Sequence, residues 1–257
     1  MTDHSRLQVE NQLGQLQQMP SQSLLRAVEL GTGLVDGYAR YESAVGEVIV
    51  AFNPAGISAV DLADAGFEER FDERFGRHLR PARPPSAWGR RIGRALEEGR
   101  PREIPVDFRS VTTFQKSVLE AAATIPRGEV RPYSWLAKEV GNPGSVRAVG
   151  STMARNPVPL IIPCHRVVRA DGILGKYSMG GPDTKRRLLE HEGAGPDQLE
   201  ELAGRGVRLV ASSATGLFCY PTCAVVRRTP VRSRTQFGSA ADALAGGYQP
   251  CGACRPM

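Results

Sequence analysis

The sequence predicts a three-part chain: an N-terminal third mixing strands and helices, a mostly helical middle with a helix-turn-helix, and a small cysteine-rich domain at the end. Three observations predict it. The β-rich run Ala44–Phe52 is followed by a turn, Asn53-Pro54-Ala55-Gly56, and a second apolar run, Ile57–Leu62. In the middle, helical periodicity recurs in pieces cut by Gly- and Pro-bearing turns. Four of the five cysteines fall in the last 39 residues, as two close pairs.

The elements follow in order. Leu7, Leu13, Leu16 and Met19, then Leu24, Leu25 and Val28, predict one or two helices over residues 1–35, split near Pro20. The two apolar runs make a hairpin. Phe67 to Leu79 reads as a charged helix, Pro81 to Pro85 as a breaker and Arg90 to Glu98 as another short helix. Thr113 is placed to cap a helix running to about Ala123, with Phe114, Val118, Leu119 and Ala122 on one face. After the turn Pro126–Val130, Ser134 caps a helix over Trp135–Val140, which Gly141-Asn142-Pro143-Gly144 ends. Ser145 caps the next, Val146–Arg155. The last two fit a helix-turn-helix, although the pattern alone favours an αα-hairpin that binds nothing.

At ~150 residues per domain, 257 residues allow one large domain or two unequal ones. With 41% hydrophobic and 23% charged residues, disorder is excluded over most of the chain. No apolar run nears the ~18 residues of a membrane span, and the polar N-terminus has no signal-peptide core. A soluble, cytoplasmic, monomeric protein is expected, in which reduced cysteines serve as metal ligands or nucleophiles. Charge is unevenly spread. Residues 1–108 carry −3, residues 109–193 +6, residues 194–204 −3 and residues 205–257 +6. Two basic blocks suit a polyanion such as nucleic acid, with ordinary surface charge as the plainer alternative.

Chemistry concentrates at Pro159-Leu160-Ile161-Ile162-Pro163-Cys164-His165-Arg166. A thiol followed by an imidazole, between Arg-bearing stretches, is a candidate reactive thiolate, whereas a lone buried cysteine is more often inert. Ile162-Pro163-Cys164-His165-Arg166-Val167-Val168, with Arg147-Ala148-Val149-Gly150, Asn156-Pro157-Val158-Pro159, Gly175-Lys176-Tyr177-Ser178 and Leu188-Leu189-Glu190-His191-Glu192-Gly193, resembles the O6-alkylguanine-DNA alkyltransferases. Tyr41–Gly46 resembles the opening strand of that family's N-terminal, ribonuclease-H-like subdomain. The resemblance implies that Cys164 accepts an alkyl group from guanine O6 and is consumed. It implies that His165 takes the thiol proton through water, Glu192 orients His165, Tyr133 assists the leaving base and Asn156 ties the cysteine turn to the recognition helix. Arg147, Ala148, Gly150 and Ser151 would then enter the minor groove and Tyr177 and Ser178 close over a flipped base. Tyr177–Gly181 is one residue longer than the family's usual loop.

Cys219-Tyr220-Pro221-Thr222-Cys223 and Cys251-Gly252-Ala253-Cys254 read as a tetrahedral Zn²⁺ site with four thiolate ligands. Such a site is usually structural. The surrounding Thr215–Cys223 and Gly247–Pro256 are similar to the Ada-type metal-binding domain, which implies that Cys219 accepts a methyl from a DNA methylphosphotriester, with Arg227, Arg228, Arg232 and Arg234 on the DNA backbone. The alternatives are a purely structural or DNA-tethering zinc domain, or a methylation-sensing regulator. Because this domain comes last, with no AraC-type reader behind it, direct promoter recognition is not expected.

The organisation expected is a helical extension (1–35), an α/β ribonuclease-H-like subdomain (36–108), a mostly α helix-turn-helix alkyltransferase core (109–193), an acidic linker (194–206) and a zinc-bound α+β domain (207–257). The partner expected is double-stranded DNA carrying alkylated guanine or methylphosphotriesters, around the nucleoid.

Overall fold

The computed structural model describes residues 21–101 and 103–256. Helix α1 (Gln22–Thr32) begins where the Ser21 hydroxyl accepts from the Leu24 amide and ends at Gly33 in the left-handed region. It carries Leu24, Leu25 and Val28 of the predicted helical stretch; Leu7, Leu13, Leu16 and Met19 lie outside the described residues.

Strands β1 (Val35–Ser43), β2 (Gly46–Asn53) and β3 (Gly56–Leu62) follow as an antiparallel meander. Ala44 and Val45 turn the first hairpin, so the strand expected over 44–52 begins two residues later, while the hairpin to Ile57–Leu62 forms. Pattern reading missed most of β1 because Asp36, Gly37, Arg40 and Glu42 interrupt its apolar residues. Helix α2 (Phe67–Phe75) stops at Gly76 in the left-handed region rather than running on to Leu79. The chain then turns back as β4 (His78–Pro81), parallel to β1, and gives the sheet order β3-β2-β1-β4. Alternation along β2 serves both faces. Val48, Val50 and Phe52 join Ile92 and Leu96 of α3 (Gly89–Glu98), while Ile49 and Ala51 pack on Phe67 and Phe71 of α2.

In the middle, α4 (Thr113–Ala122) is capped by Thr112, not Thr113: Thr112 and Gln115 form a reciprocal capping box. Two-residue β5 (Arg131–Pro132) leads directly into α5 (Tyr133–Glu139), so Ser134 lies inside the first turn and caps nothing. Ser145 does precede α6 (Val146–Ala154), but its hydroxyl donates to the Asn142 carbonyl across the inter-helix turn. A 3-10 turn, Cys164–Arg166, runs into β6 (Val167–Val168), which pairs parallel with β5, and α7 (Gly181–His191) follows. One continuous core joins sheet and helices: Val50, Ile57 and Ile92 share it with Val118, Leu136, Met153, Ile161 and Cys164.

The acidic stretch expected as a linker folds instead as α8 (Pro196–Gly204), which buries Leu199 and Leu202. Its charges sit on the outer face, which is why composition alone reads as an open connection. The last segment holds β7 (Leu209–Ser212), β8 (Leu217–Cys219), α9 (Ala224–Arg227), β9 (Arg234–Phe237), α10 (Ala240–Ala245) and β10 (Gln249–Pro250), with sheet order β10-β8-β7-β9. Among the described residues no helix is long and apolar enough to cross a membrane.

A buried polar knot locks the N-terminal sheet. Asn53 Nδ2 donates to Asp36 (3.0 Å) and Asp107 (2.8 Å), Ser58 donates to Asp36, and Arg77 and Arg109 neutralise the two carboxylates. Removing one carboxylate strands buried donors and a guanidinium. Asp107→Ala is expected to lower the unfolding free energy by about 3 kcal/mol, read from the urea midpoint.

Candidate active site and metal centre

The backbone around Cys164 is built by Asn156. Its Oδ1 accepts from Val158 N (3.1 Å), and its Nδ2 donates to Ile162 O (2.8 Å) and to Cys164 Sγ (3.2 Å). One side chain thereby closes the loop from α6 to the cysteine and solvates the sulfur. Leu160, mid-loop, is held at φ 69°, a left-handed conformation that costs a non-glycine residue about 1–3 kcal/mol. The loop is also pinned from outside, since Val60 N of β3 donates to Pro157 O (2.9 Å) and Arg74 of α2 donates to Arg155 O (2.5 Å).

Behind the cysteine stands a relay. His165 Nε2 lies 2.9 Å from Glu192 Oε1. Arg166 grips the same carboxylate as a fork, Nε to Oε2 (2.9 Å) and Nη2 to Oε1 (2.7 Å). These bonds hold the Glu192 carboxyl at about 2 against burial, so it can only accept and His165 Nε2 carries the hydrogen. His165 Nδ1 is buried and has no hydrogen-bond partner. Burial lowers the His165 pKa, leaving a neutral imidazole with one free basic nitrogen. Arg166 spends its other donors on Ile125 O and Glu98 O. It lies so close to Gly99 (φ 64°) that a Cβ there would meet Nη2 at 2.4 Å.

Burial raises the Cys164 thiol, opposed by the Asn156 donor and by the charge of Lys185. Lys185 is itself fully buried, donates to Val167 O (2.6 Å) and Leu174 O (2.5 Å), and is lowered to about 8 by desolvation. The phenols of Tyr133 and Tyr177 are raised by burial and then by the charge of Cys164, and both side chains pack in the same core cluster as the cysteine. Tyr177 meets His165 edge-on at 6.3 Å, and its buried hydroxyl favours the Cys164 thiolate as a donor. Ser178 is exposed. The structure thus gathers Cys164, His165, Glu192, Asn156, Tyr133 and Tyr177, whereas Arg147, Ala148 and Ser151 line the exposed face of α6, with Gly150 half-buried among them. The opposite face, Val149, Thr152 and Met153, is buried. Sequence reasoning missed Arg166 and Lys185. Arg166 stands in the recognised motif, but nothing in a sequence shows that an arginine is fully buried.

At the other end, the Sγ atoms of Cys219, Cys223, Cys251 and Cys254 lie within 4.8 Å of one another, all buried. A tetrahedron of ~2.3 Å Zn–S bonds has sulfur–sulfur edges of about 3.8 Å, so the four thiols fit Zn²⁺. β8 delivers Cys219 and the turn before α9 delivers Cys223; Cys251 follows β10 and Cys254 closes the turn after it.

Two groups make the fold acid-sensitive. Glu192 is lowered from 4.5 to about 2, so its contribution is complete above about 4.5 and lost as pH falls through about 2. His165 is lowered from 6.5, so its contribution is complete above 6.5 and declines on acidification below that. Glu192→Gln leaves Arg166 buried without its anion. It is expected to cost about 3–5 kcal/mol at neutral pH and to flatten the decline between pH 4.5 and 2, measured by denaturant unfolding across pH.

Residues 113–194 match the family described as 6-O-methylguanine DNA methyltransferase, DNA binding domain, and residues 203–257 match the metal binding domain of Ada. The chain is 35% identical over 167 residues to the methylated-DNA–protein-cysteine methyltransferase of Methanosarcina acetivorans, covering 61% of this chain and 98% of that one. It is 35% identical over 176 residues to the bifunctional transcriptional activator/DNA repair enzyme Ada of Escherichia coli, covering 63% of this chain and 47% of Ada. It spans about half the length of Ada and of the Methanothermobacter thermautotrophicus and rat methyltransferases. The crystal structure of Mycobacterium tuberculosis O6-methylguanine methyltransferase superposes with a TM-score of 0.50 at 31% identity, over 62% of this chain and 94% of that one. The shared core, the Cys164 turn and the four-cysteine domain together make the chain a member of the methylated-DNA–protein-cysteine methyltransferase family, extended by an Ada-type metal-binding domain.

Proposed function

We propose that the protein repairs duplex DNA by moving the methyl of O6-methylguanine onto Cys164. The observation that carries this reading is Cys164 Sγ held by Asn156, followed directly by an imidazole with one nitrogen tied to Glu192 and the other, buried, without a partner. The thiol proton passes to His165 Nδ1, through water, and the imidazolium is stabilised by Glu192. Sulfur attacks the methyl carbon, the S–C bond forms and the C–O6 bond breaks. Tyr133 supplies a proton or hydrogen bond to the departing guanine. The thioether has no route back, so each molecule acts once.

Guanine O6 lies inside the stack, so the nucleotide must be turned out. The exposed face of α6 suits this. Gly150 leaves open space where a side chain would stand off the backbone, and Arg147 extends from the same face to fill the gap in the duplex. Tyr177 and Ser178 close the pocket. The order β3-β2-β1-β4, three antiparallel strands with the fourth parallel to the first, supports a ribonuclease-H-like reading of the N-terminal subdomain. One chain supplies every group named, which supports action as a monomer on the DNA of the cytoplasm.

The metal domain extends the activity to the backbone, with Cys219 taking a methyl from a methylphosphotriester. Bound Zn²⁺ would keep the four thiols deprotonated, and methylation would remove one negative charge and favour phosphate nearby. Arg228 and Arg232 are exposed for that contact, whereas Arg227 donates to Gly193 O (3.0 Å) and Arg234 to Thr229 O (2.7 Å).

Cys164→Ala is expected to bind methylated duplex within about twofold of the parent while losing all base-methyl transfer; loss of binding instead would remove the reading of Cys164 as acceptor. After incubation with DNA carrying both lesions, peptide mapping is expected to find one methyl on the Cys164 peptide and one on the Cys219 peptide. Methyl on Cys164 alone would make the metal centre structural.

A further inference from the structure

We propose that the metal-binding loops are a working part of the alkyltransferase site: gathering the four cysteines fixes the segment 129–139 and, through it, the position of Tyr133. This inference rests on the proposed role of Tyr133 at Cys164.

Apart from the bond of Arg227 to Gly193 O, the polar contacts of the metal-binding loops with the alkyltransferase core gather on that one segment among the described residues. Val130 N donates to Thr222 Oγ1 (2.9 Å). Ala224 N donates to Glu129 Oε1 (2.9 Å), while the other oxygen of that buried carboxylate pairs with Arg131. The Arg131 guanidinium, itself 2% exposed, sits 5.5 Å from the Tyr220 ring and 5.8 Å from the Trp135 ring. Arg255 lies 5.6 Å from the same Trp135 ring and bonds Glu139 (2.5 Å). The zinc-domain residues in these contacts are each adjacent in sequence to a ligand. Tyr220 follows Cys219, Thr222 and Ala224 flank Cys223, and Arg255 follows Cys254 in a left-handed conformation (φ 46°).

The adjacency matters energetically. The sheet of the last domain is small, so the cation must hold the ligand loops together; without it four buried thiols have nothing to converge on. Released loops would leave Val130 N–H and the Glu129–Arg131 pair without the groups that satisfy and cover them. On its other side α5 is anchored in the main core through Leu136 and Ala137, while the strand before it pairs with β6 over two residues, Arg131 against Val167 and Pro132 against Val168. Tyr133 begins α5 immediately afterwards, and Cys164–Arg166 immediately precedes β6. The same short ladder therefore joins the strand that leads to the phenol with the strand that leaves the thiol.

The test compares the full chain loaded with Zn²⁺ and stripped by a chelator. Amide hydrogen exchange is followed at 129–139 and in β2, alongside the rate of methyl transfer to Cys164 at saturating methylated duplex. Metal loss is expected to speed exchange at 130–136 at least tenfold, leave β2 protected and slow transfer about tenfold or more. Unchanged exchange at 130–136 would overturn the proposal and make the domain a tether. Should stripping unprotect β2 as well, Thr222→Val in the metal-loaded chain decides. Faster exchange at 130–136 and slower transfer, with duplex affinity within twofold, support the coupling; parent behaviour refutes it. If Cys164 takes no methyl even in the loaded parent, the functional reading fails, and the exchange data still judge the coupling.

Discussion

The fork between the fully buried Arg166 and Glu192 is the interaction on which the rest depends. A guanidinium inside a protein must satisfy its donors and its charge together. Here Glu192 meets the charge, and the carbonyls of Glu98 and Ile125 take remaining donors. The ends of α3, α4 and α7 therefore converge on one side chain. The convergence explains Gly99, whose missing Cβ makes room for Nη2. It also fixes the chemistry, because a carboxylate held this far down leaves His165 one tautomer and one free nitrogen.

A second constraint acts from the opposite end of the chain. The cysteine domain divides its few apolar residues between two faces of a small sheet. Val210 and Val226 pack with the sulfurs, while Leu209, Ala211, Phe218 and Ala243 form the other layer. With so little core, its polar contacts to Glu129, Val130 and Glu139 are a large share of what orients it. Arg131 is shared between the units, stacking on an aromatic ring from each.

What was legible in the sequence divides along physical lines. Local signals were readable: apolar alternation gave the β2–β3 hairpin, glycine ended α5, and cysteine spacing gave the metal ligands. Long-range effects were not. The β1 strand is held by a buried Asp36 whose partner Arg77 lies far along the chain, so its polarity reads as loop. The helix through Phe67 ends early because β1 offers His78–Pro81 a parallel edge. Acidic α8 hides Leu199 and Leu202 behind its charges. Of the site, motif resemblance supplied Cys164, His165, Glu192 and Asn156. Lys185 lay in a run of three basic residues, and only the fold distinguishes the buried one from its neighbours.

The resting site is arranged for restraint as much as for reactivity. Burial keeps Cys164 a thiol and His165 neutral, so neither bears charge until a substrate is seated. The groups that favour the thiolate are already in place: the Asn156 donor at 3.2 Å, the free Nδ1 of His165, and Lys185 at reduced cost of deprotonation. If Cys164 is the single-use acceptor proposed above, it gains nothing from standing ionisation, since a permanent thiolate would meet other electrophiles and oxidants first. On the proposed function, selectivity is then carried by the event that completes the relay, the arrival of a flipped base at Cys164.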